Sequence, residues 1–493
     1  MIIESLLPLW IVLASFACGI IIFMLPEDGV RVRTTINLAG VIAMILLVAL
    51  LLVGVSDGNR LQFEYAFAGD LVFSLRSDKL SVLFLSLSAV LWLLTTIYAI
   101  GYLEKDRGRS RFFGFFSLCV SATAGVSMAG NLFTLLLFYE ALTLATFPLV
   151  VHRGTRDAVK AGRVYLAYTL VGGLLVLAGT VWLHALAGPM EFREGGALVL
   201  REVPAWTLHA VFWLLIAGFG VKAALAPFHG WLPKSMVAPA PVSALLHAVA
   251  VVKAGAFAIA RVVYDLYGIE FAQTLGVLAP LAALAAFTIV YGSVRALGQM
   301  ELKPRLAWST VSQVSYIALG IATFGPAASI GGIVHLVHQG LMKITLFFCA
   351  GNLAESLHIH RVDEMAGCGR RMPWTTAAFT LAALGMIGVP PLAGFISKWY
   401  LATGALEAGA GWIVGVLVAS TLLNAAYFLP LLHAAWFKPL PAGSDMSRRE
   451  APLLLLVPPL VTVSLAVLVG VAAMAPWSPL SWVTTIVDAE YGI

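Results

Sequence analysis

Residues 218–255 read GFGVKAALAPFHGWLPKSMVAPAPVSALLHAVAVVKAG. Two of the three lysines in this stretch, Lys222 and Lys253, are surrounded by Ala, Val, Leu, Phe and Gly, as in helices that cross a membrane. Between them, the proline and glycine residues of ALAPFHGWLP interrupt the helical pattern. A lysine ammonium at the centre of a bilayer costs roughly 2.5–3.5 kcal/mol on insertion scales, and such residues usually mark a path for ions or protons.

Charges inside apolar segments are rare in the rest of the chain. Of 30 Lys and Arg residues, Lys343 and Lys398 alone join Lys222 and Lys253 in such positions, and of 25 carboxylates Glu140 alone does so. Four unpaired ammonium groups would cost on the order of 10 kcal/mol. The sequence therefore predicts that internal water or counter-charges accompany these residues along a transport path.

The composition predicts a polytopic helical membrane protein. Hydrophobic residues make up 60% of the chain and charged residues 11%, and the mean hydropathy is +0.94. A helix needs about 20 apolar residues to cross roughly 30 Å of hydrocarbon, and the apolar runs lack the alternation that barrel strands require. We predict an all-α fold of about 14 transmembrane helices in a single integral membrane domain, residues 1–493. The predicted segments lie at 6–25, 34–55, 79–101, 112–128, 131–151, 163–187, 206–226, 237–263, 271–297, 305–324, 327–353, 375–403, 410–437 and 452–476.

Neither a cleaved leader nor a metal cluster is expected. The first segment is followed by Glu27, Asp28 and Arg31 instead of a small-residue cleavage site, so we expect a retained helix. The four cysteines are scattered without a CxxC pair, which argues against a metal cluster and a disulfide framework. The sequence has no nucleotide-binding loop and no haem or flavin motif, so we expect no cofactor and no redox centre.

Lys and Arg are distributed unequally between alternate loops. The loops after odd-numbered segments hold 20 of them, and the opposite set holds six. By the positive-inside rule the basic loops face the cytoplasm, and both termini face away from it. The net charge of +5 is therefore a topology signal and gives no support to nucleic-acid binding. We expect a multi-pass protein of the cell (inner) membrane.

Two segments are interrupted next to a buried lysine. The seventh breaks just after Lys222, and the twelfth breaks at GMIGVPPLAGF, residues 385–395, just before Lys398. Breaks five helices apart predict an internal repeat, which must be inverted because five is odd. Pro and Gly residues that merely kink packed helices are the alternative. The predicted parts are helices 1–3 in 1–111, a first repeat in 112–263, a second repeat in 271–437, and a C-terminal helix and tail in 452–493.

Five motifs give the chain a recognisable resemblance. Besides residues 218–255, they are LFYEALTLATFPL at 137–149, LAWSTVSQVSYIALG at 306–320, HLVHQGLMKITLFFCAG at 335–351 and GFISKW at 394–399. Over roughly residues 75–440 the chain resembles the proton-translocating antiporter-like family. That family comprises subunits of respiratory NADH:quinone oxidoreductase, relatives in membrane-bound hydrogenases, and the A-type and D-type subunits of the Mrp-type Na+/H+ antiporter. The resemblance implies 14 helices, two inverted five-helix repeats, and discontinuous helices 7 and 12.

The resemblance also implies a proton pathway. In it, Glu140 pairs with Lys222. Lys253 is the central carrier, and Lys398 is the carrier on the exit side. The residues expected to carry protons are Glu140, Lys222, Lys253, His335, His338, Lys343 and Lys398, with His229, His247 and Gln339 as accessory residues and with no metal.

The residues themselves leave alternatives open. A neutral carboxyl could simply pack a helix at Glu140, His247 could be a satisfied core histidine, and Lys253 could snorkel to the interface. Position 253 lies about two turns or more from either helix end, which makes snorkelling a poor explanation. Burial favours the neutral forms of a lysine and a carboxyl, whereas their mutual attraction favours the charged forms. Separation of Glu140 from Lys222 would therefore release a proton.

We predict a proton-translocating antiporter-like subunit that resembles the D-type subunit of Mrp-type monovalent cation/H+ antiporters. The alternative is a proton-pumping membrane subunit of a respiratory NADH:quinone oxidoreductase or an energy-converting hydrogenase complex. A third class is an independent solute carrier that binds an anion through its lysines. Expected partners are other membrane subunits, the lipid bilayer, and H+ with Na+ or K+, but no nucleic acid. The coupling ion stays open, because the sequence shows no carboxylate cage for a hard cation.

The predicted orientation can be tested by chemical labelling. Loop 102–111 carries four basic residues, whereas loop 187–205 carries two basic and three acidic residues. Cysteines placed at positions 107 and 195 should react with an impermeant reagent from opposite sides, position 107 from the cytoplasm. Labelling of both positions from one side would contradict the helix count.

Overall fold

The computed structural model describes residues 2–104, 106–200, 202–440 and 447–493. Within these ranges, 11 helices are long and apolar enough to cross a membrane. The α-helices before residue 200 are α1 (Leu7–Phe23), α2 (Val30–Ser56), α3 (Lys79–Tyr102), α4 (Arg109–Met128), α5 (Leu132–Val150) and α6 (Arg156–Ala187). The next are α7 (Ala205–Lys222), α8 (Trp231–Lys234), α9 (Ala240–Ala244), α10 (Val251–Ala260), α11 (Ile269–Thr274) and α12 (Leu278–Leu297). The last are α13 (Leu302–Ala322), α14 (Pro326–Leu357), α15 (Cys368–Arg371), α16 (Pro373–Ile387), α17 (Ala393–Glu407), α18 (Trp412–Phe437), α19 (Leu453–Val471) and α20 (Pro479–Tyr491).

Each predicted membrane segment overlaps a helix of the structure, although the segment predicted at 271–297 is divided into α11 and α12. Two other segments, each of which carries a buried lysine, also differ from a plain α-helix. The segment predicted at 237–263 is the helical segment Ala240–Tyr267, in which the π-helical turns Leu245–Val249 and Arg261–Tyr267 flank α10 and Ala250 forms a bend. The segment predicted at 375–403 is divided into α16 and α17. Both departures adjoin a buried lysine, as expected for helices that are interrupted at functional sites.

A small three-stranded sheet lies outside the predicted helices. β1 (Ile2–Glu4) pairs in parallel with β2 (Arg60–Ala68), and β2 pairs in antiparallel with β3 (Leu71–Arg76). The β2 sequence RLQFEYAFA alternates polar and apolar residues, which is the period of a strand. The sequence predicts only three helices for residues 1–111, because short strands leave no mark in a search for 20-residue apolar runs.

The middle of the bundle consists of α14 and the helix Ala240–Tyr267, which we call the central helix. The most apolar stretch of each of these helices is completely buried, compared with 28% of that stretch in α2 and 33% in α18. Lys253 is fully buried within the central helix. It therefore faces protein and not lipid.

The C-terminal helix α20 packs beside α3 and α14. Its Glu490 is 7% exposed, and the carboxylate accepts a hydrogen bond from the Gly195 backbone N–H at 3.2 Å. Burial, together with the nearby carboxylates of Asp265 and Glu194, holds the pKa of Glu490 well above its usual range.

The loop at residues 187–205 contains a better position for cysteine labelling than residue 195. Gly195 has a φ of 77°, a conformation that cysteine adopts only with strain. Val199 in this loop is 52% exposed, and the four native cysteines are buried. Val199→Cys should therefore report the side of this loop with little background labelling.

Replacement of Glu490 by Gln is expected to change the pH dependence of stability. A carboxyl whose pKa is raised in the folded state favours folding below its unfolded pKa of about 4.3, and this contribution is lost as the pH rises through the folded pKa. Wild-type protein should therefore lose stability relative to Glu490→Gln as the pH rises above about 4.3, by at most about 1.4 kcal/mol per pH unit. Melting temperatures in detergent at several pH values would measure the difference.

Glu407 provides the matched control, because it is an exposed carboxylate at the end of α17. Glu407→Gln should follow the wild-type pH dependence. Parallel pH profiles for wild type and Glu490→Gln would show that Glu490 does not contribute in this way.

Candidate functional site

The four lysines that the sequence singles out lie inside the helix bundle. Lys222, Lys253 and Lys343 are fully buried, and Lys398 is 9% exposed. They belong to α7, α10, α14 and α17, respectively. The predicted residues His335, His338 and Gln339 of α14 are also fully buried.

Lys222 is the last residue of α7, immediately before the predicted break. Ala224 has a φ of 56°, and Pro227 has no backbone N–H to donate, so the helix cannot continue. The Lys222 ammonium donates a hydrogen bond to the Tyr139 carbonyl and lies 3.4 Å from the centre of the Tyr139 ring. The Tyr139 hydroxyl in turn donates to the Gly218 carbonyl at 2.8 Å. These contacts fasten the end of α7 to α5.

Glu140 follows Tyr139 on α5 and is half-buried. Its Oε1 atom is shielded from solvent and has no hydrogen-bond partner among the described residues. The carboxylate packs against Gly173 of α6, where an added Cβ would collide with it. Glu140 and Lys222 are close enough for their charges to interact, but no ion pair within 4 Å joins them in the described part of the chain. The two groups that the resemblance pairs are thus apart in this structure.

Lys253 bridges the central helix and α14. Its Nζ donates a hydrogen bond to the Leu336 carbonyl at 2.8 Å. Two residues further along, Gly255 lies so close to the Lys222–Ala223 backbone that an added Cβ would collide with backbone atoms. This close approach brings α10 against the end of α7, and it explains why a glycine follows Lys253 so soon.

The polar residues of α14 face two different helices. His335 Nε2 lies 3.1 Å from Gln313 Oε1 of α13, whereas His338 Nδ1 lies 2.9 Å from Ser397 Oγ of α17. Both amide atoms of Gln339 are buried without a partner among the described residues. Gln313 and Ser397 are contacts that the sequence did not single out, although each lies in a quoted motif.

Lys343 and Lys398 both donate to main-chain carbonyls and to hydroxyl groups. Lys343 Nζ bonds to the Leu306 carbonyl at 3.2 Å and to Ser309 Oγ at 2.5 Å. Lys398 Nζ bonds to the Ile387 carbonyl at 2.6 Å and to Thr421 Oγ1 at 3.0 Å. Because α16 ends at Ile387, the Lys398 ammonium lies at the negative end of that helix dipole.

The accessory histidines lie in the central helix and in the first helix break. His247 is fully buried, neither ring nitrogen has a partner among the described residues, and its ring stacks on Phe347 with centres 4.4 Å apart. His229 is half-buried between the rings of Tyr291 and Trp308. Of the two, His247 is within electrostatic range of a pathway lysine, Lys343.

Lys253 interacts electrostatically with several polar residues of α14. The groups within its electrostatic range on α14 are His335, His338 and Lys343. Lys253, His335, His338, Lys343 and Lys398 therefore form one connected set, because Lys398 lies within electrostatic range of His335. Lys222 adjoins this set through the contact between its backbone and Gly255, and Glu140 lies within electrostatic range of Lys222.

The structure contains a further buried cation, Arg261, which lies at the end of the segment predicted at 237–263. Arg261 is 1% exposed and forms ion pairs with Asp265 at 3.1 Å and with Asp78 at 2.7 Å. Asp265 lies four residues later, and this spacing on a helix is the signal that could have revealed the pair. Arg261 is a fixed charge with two counter-charges, unlike the lysines.

The contacts of the lysines suit reversible protonation. Carbonyl and hydroxyl oxygen atoms accept a hydrogen bond from an ammonium or from a neutral amine. A lysine with such partners can gain or lose a proton without leaving a buried carboxylate unpaired. Lysine, unlike arginine, also releases a proton readily when it is buried. The arrangement can therefore carry protons between helices.

Two known families match the chain. The family described as NADH:quinone oxidoreductase/Mrp antiporter, TM matches residues 129–424, and the family described as NADH-ubiquinone oxidoreductase (complex I), chain 5 N-terminus matches residues 67–113. The first match covers more than half of the chain. It includes all of the predicted site residues.

Three known proteins illustrate the similarity. The N-type subunit of the NADH-quinone oxidoreductase of Desulforudis audaxviator is 37% identical over 76% of this chain and 77% of that protein. Hydrogenase-4 component B of Escherichia coli is 30% identical over 94% of this chain and 72% of that protein. The D-type subunit of the Na(+)/H(+) antiporter of Bacillus subtilis is 28% identical over 73% of each chain.

A solved structure shares the fold. One chain of the Mrp complex from Dietzia sp. superposes with a TM-score of 0.86 at 20% identity. The superposition covers 99% of this chain and 97% of that chain. At this level of identity the likeness concerns the fold alone.

Proposed function

We propose that this chain moves protons across a membrane as one subunit of a larger complex. The premise is that the chain belongs to the NADH:quinone oxidoreductase/Mrp antiporter family of membrane subunits. The observation that carries the proposal is the set of buried lysines whose ammonium groups bind neutral oxygen atoms. Such lysines keep hydrogen-bond partners in both protonation states. A fixed structural charge would instead be expected to have counter-charges, as Arg261 does.

The proposed route crosses the bundle from the first helix break to the second. Glu140 acts as the switch for Lys222: when the two groups approach, their attraction favours the ammonium form, and when they separate, burial favours release of the proton. Contacts between successive helices support the order of the later steps. The proposed carriers are Glu140, Lys222, Lys253, His335, His338, Lys343 and Lys398, and the proposed accessory residues are His229, His247 and Gln339.

The proposed architecture is a single membrane domain with two inverted repeats, residues 112–263 and 271–437. Support comes from the two helix breaks, after Lys222 and between α16 and α17, because each has a buried lysine beside it. Helix ends at membrane depth offer free carbonyl groups, which suit cation and proton sites.

The proposed host is a monovalent cation/H+ antiporter in which this chain has a role like that of the D-type subunit. The relative from Bacillus subtilis, which is named as such a subunit of a Na(+)/H(+) antiporter, supports this choice because the similarity extends over 73% of both proteins. Other membrane subunits would complete the complex. The transported ions would be H+ and Na+ or K+.

The alternative host is a respiratory NADH:quinone oxidoreductase or an energy-converting hydrogenase complex. One observation favours it, namely the 37% identity to the N-type subunit of an NADH-quinone oxidoreductase. In that case electron transfer would belong to partner subunits, and this chain would contribute the proton path.

For location, we propose the cell (inner) membrane with both termini on the non-cytoplasmic side. The unequal distribution of Lys and Arg between alternate loops supports this orientation. Labelling of Arg107→Cys and Val199→Cys tests it directly, because both positions are exposed.

Ion flux into vesicles that contain the whole complex tests the function and distinguishes the hosts. A Na+ or K+ gradient should drive proton movement if the complex is an antiporter. Proton movement that requires NADH with quinone, or hydrogen oxidation, would identify the alternative host. If neither drives proton movement, the proposal fails.

Glu140→Gln should nearly abolish proton flux while the complex still assembles. Glutamine keeps the size of the side chain but removes the charge that favours the ammonium form of Lys222. The matched control is Glu407→Gln, because Glu407 is an exposed carboxylate at the end of α17. Retention of most of the flux in Glu140→Gln would show that the carboxyl is structural.

Lys253→Arg should lower proton flux about as severely as Lys253→Ala. Arginine keeps the positive charge but effectively cannot release a proton. A solute carrier that binds an anion through this residue would behave differently, since arginine provides a better fork for carboxylate or phosphate. Near-normal flux in Lys253→Arg, measured in the same vesicles, would contradict the role of proton carrier.

A further inference from the structure

Lys343 is held by a side-chain hydroxyl group as well as by the backbone. Its Nζ lies 2.5 Å from Ser309 Oγ and 3.2 Å from the Leu306 carbonyl, both on α13. Lys343 and Ser309 are fully buried. The orientation of the Ser309 hydroxyl therefore decides how well the ammonium form of Lys343 is stabilised.

Two residues of α18 orient Ser309. The Tyr427 hydroxyl lies 3.1 Å from Ser309 Oγ, and it also hydrogen-bonds to Asn424 Oδ1. The Asn424 Nδ2 group donates to the Met386 carbonyl at 3.3 Å. Ser309, Asn424 and Tyr427 are fully buried, so bulk water does not compete for these bonds.

The far end of this set of bonds is the second helix break. The Met386 carbonyl that accepts from Asn424 also accepts from Lys398 Nζ at 3.3 Å. Met386 and Ile387 are the last two residues of α16, and Ile387 accepts a second bond from Lys398. Hydrogen bonds thus run without a gap from Lys343 through three side chains to the carbonyls that bind Lys398.

We propose that Ser309, Tyr427 and Asn424 form a positioning link between Lys343 and the helix break at Lys398. This inference rests on the proposed function, because it assigns these residues to the same proton path. When the hydrogen bonds between Lys398 and the end of α16 change, the side chains of Asn424 and Tyr427 reorient. Ser309 then becomes a better or poorer hydrogen-bond acceptor for Lys343. The link thereby coordinates the two lysines.

The link transmits orientation and not protons. An amide such as that of Asn424 accepts at its oxygen and donates from its nitrogen, so a proton that arrives at the oxygen is not passed on from the nitrogen. Ser309 is the one member that touches the Lys343 ammonium. Tyr427 and Asn424 act through it, and the proton itself needs another carrier between Lys343 and Lys398.

The backbone of Tyr427 is anchored independently of its hydroxyl. Arg305 of α13 donates to the Tyr427 carbonyl at 3.0 Å and to the Gln299 carbonyl at 2.9 Å. The Tyr427 ring also packs against Phe428 with centres 4.7 Å apart. Removal of the hydroxyl alone should therefore leave the helix packing intact.

The test compares Tyr427→Phe, Ser309→Ala and the double variant in vesicles that contain the whole complex. Each single variant should lower proton flux by about tenfold, as expected for loss of a buried hydrogen bond next to a charge. Because both changes break the same link, the double variant should be no slower than the slower single variant. Ser309→Thr, which keeps a hydroxyl, should restore most of the flux.

Tyr98→Phe is the matched control. The Tyr98 side chain is fully buried, and its hydroxyl donates to the Phe348 carbonyl at 3.0 Å and not to an atom that binds one of the four lysines. This variant loses a comparable bond and should keep near-wild-type flux. Equal losses in Tyr98→Phe and Tyr427→Phe would show a general packing effect and overturn the link.

Two further results would also overturn the positioning link. One is full proton flux in Tyr427→Phe, and the other is a double variant in which the losses of flux from the two single variants add. Wild type and Lys253→Ala serve as reference points in the same experiment. If wild type transports protons, Lys253→Ala does not, and Tyr427→Phe equals wild type, the link fails while the proposed function stands. If wild type itself moves no protons, the proposed function fails.

Discussion

Burial of four ammonium groups among neutral oxygen atoms is the constraint on which the structure depends. Each lysine needs acceptors inside a hydrophobic bundle, where most main-chain carbonyls already serve helical hydrogen bonds. Lys398 finds them at the end of α16, and Lys222 occupies the end of α7 itself. The ammonium groups of Lys222, Lys253 and Lys343 bind carbonyls of neighbouring helices, whose oxygen atoms have a second lone pair. The broken helices and the close central packing both meet this requirement.

The lysines and Arg261 show two solutions to the same cost of burial. Arg261 forms ion pairs with two carboxylates, Asp78 and Asp265, at one end of the central helix. The lysines have no such partners within ion-pair distance in the described part of the chain. A charge with a fixed counter-charge is stable but hard to remove, whereas a lysine among carbonyls can change its protonation state. The same bundle thus contains a fixed structural charge, Arg261, and lysines that are suited to proton transport.

Close helix contacts give the charged groups their relative positions. Gly255 lets α10 approach the backbone at the end of α7, and Gly173 leaves space on α6 for the Glu140 carboxylate. A side chain at either glycine would push the helix away from a titratable group. Movements of these helices would therefore change distances between charges directly, which is the coupling that an electrostatic switch requires.

The sequence by itself determined the membrane class, the approximate helix positions, the helix breaks, and the buried charges Glu140, Lys222, Lys253, Lys343 and Lys398. Hydropathy, Pro and Gly act locally, so they are readable without a structure. Only the tertiary structure decided that Lys222 contacts Tyr139 rather than the Glu140 carboxylate, and that Asp78 pairs with Arg261 across 183 residues of sequence. It also revealed the sheet, α20 and the bonds of Ser309, Asn424 and Tyr427. Carbonyl acceptors have no sequence signature, and partners from distant segments meet only when the helices pack.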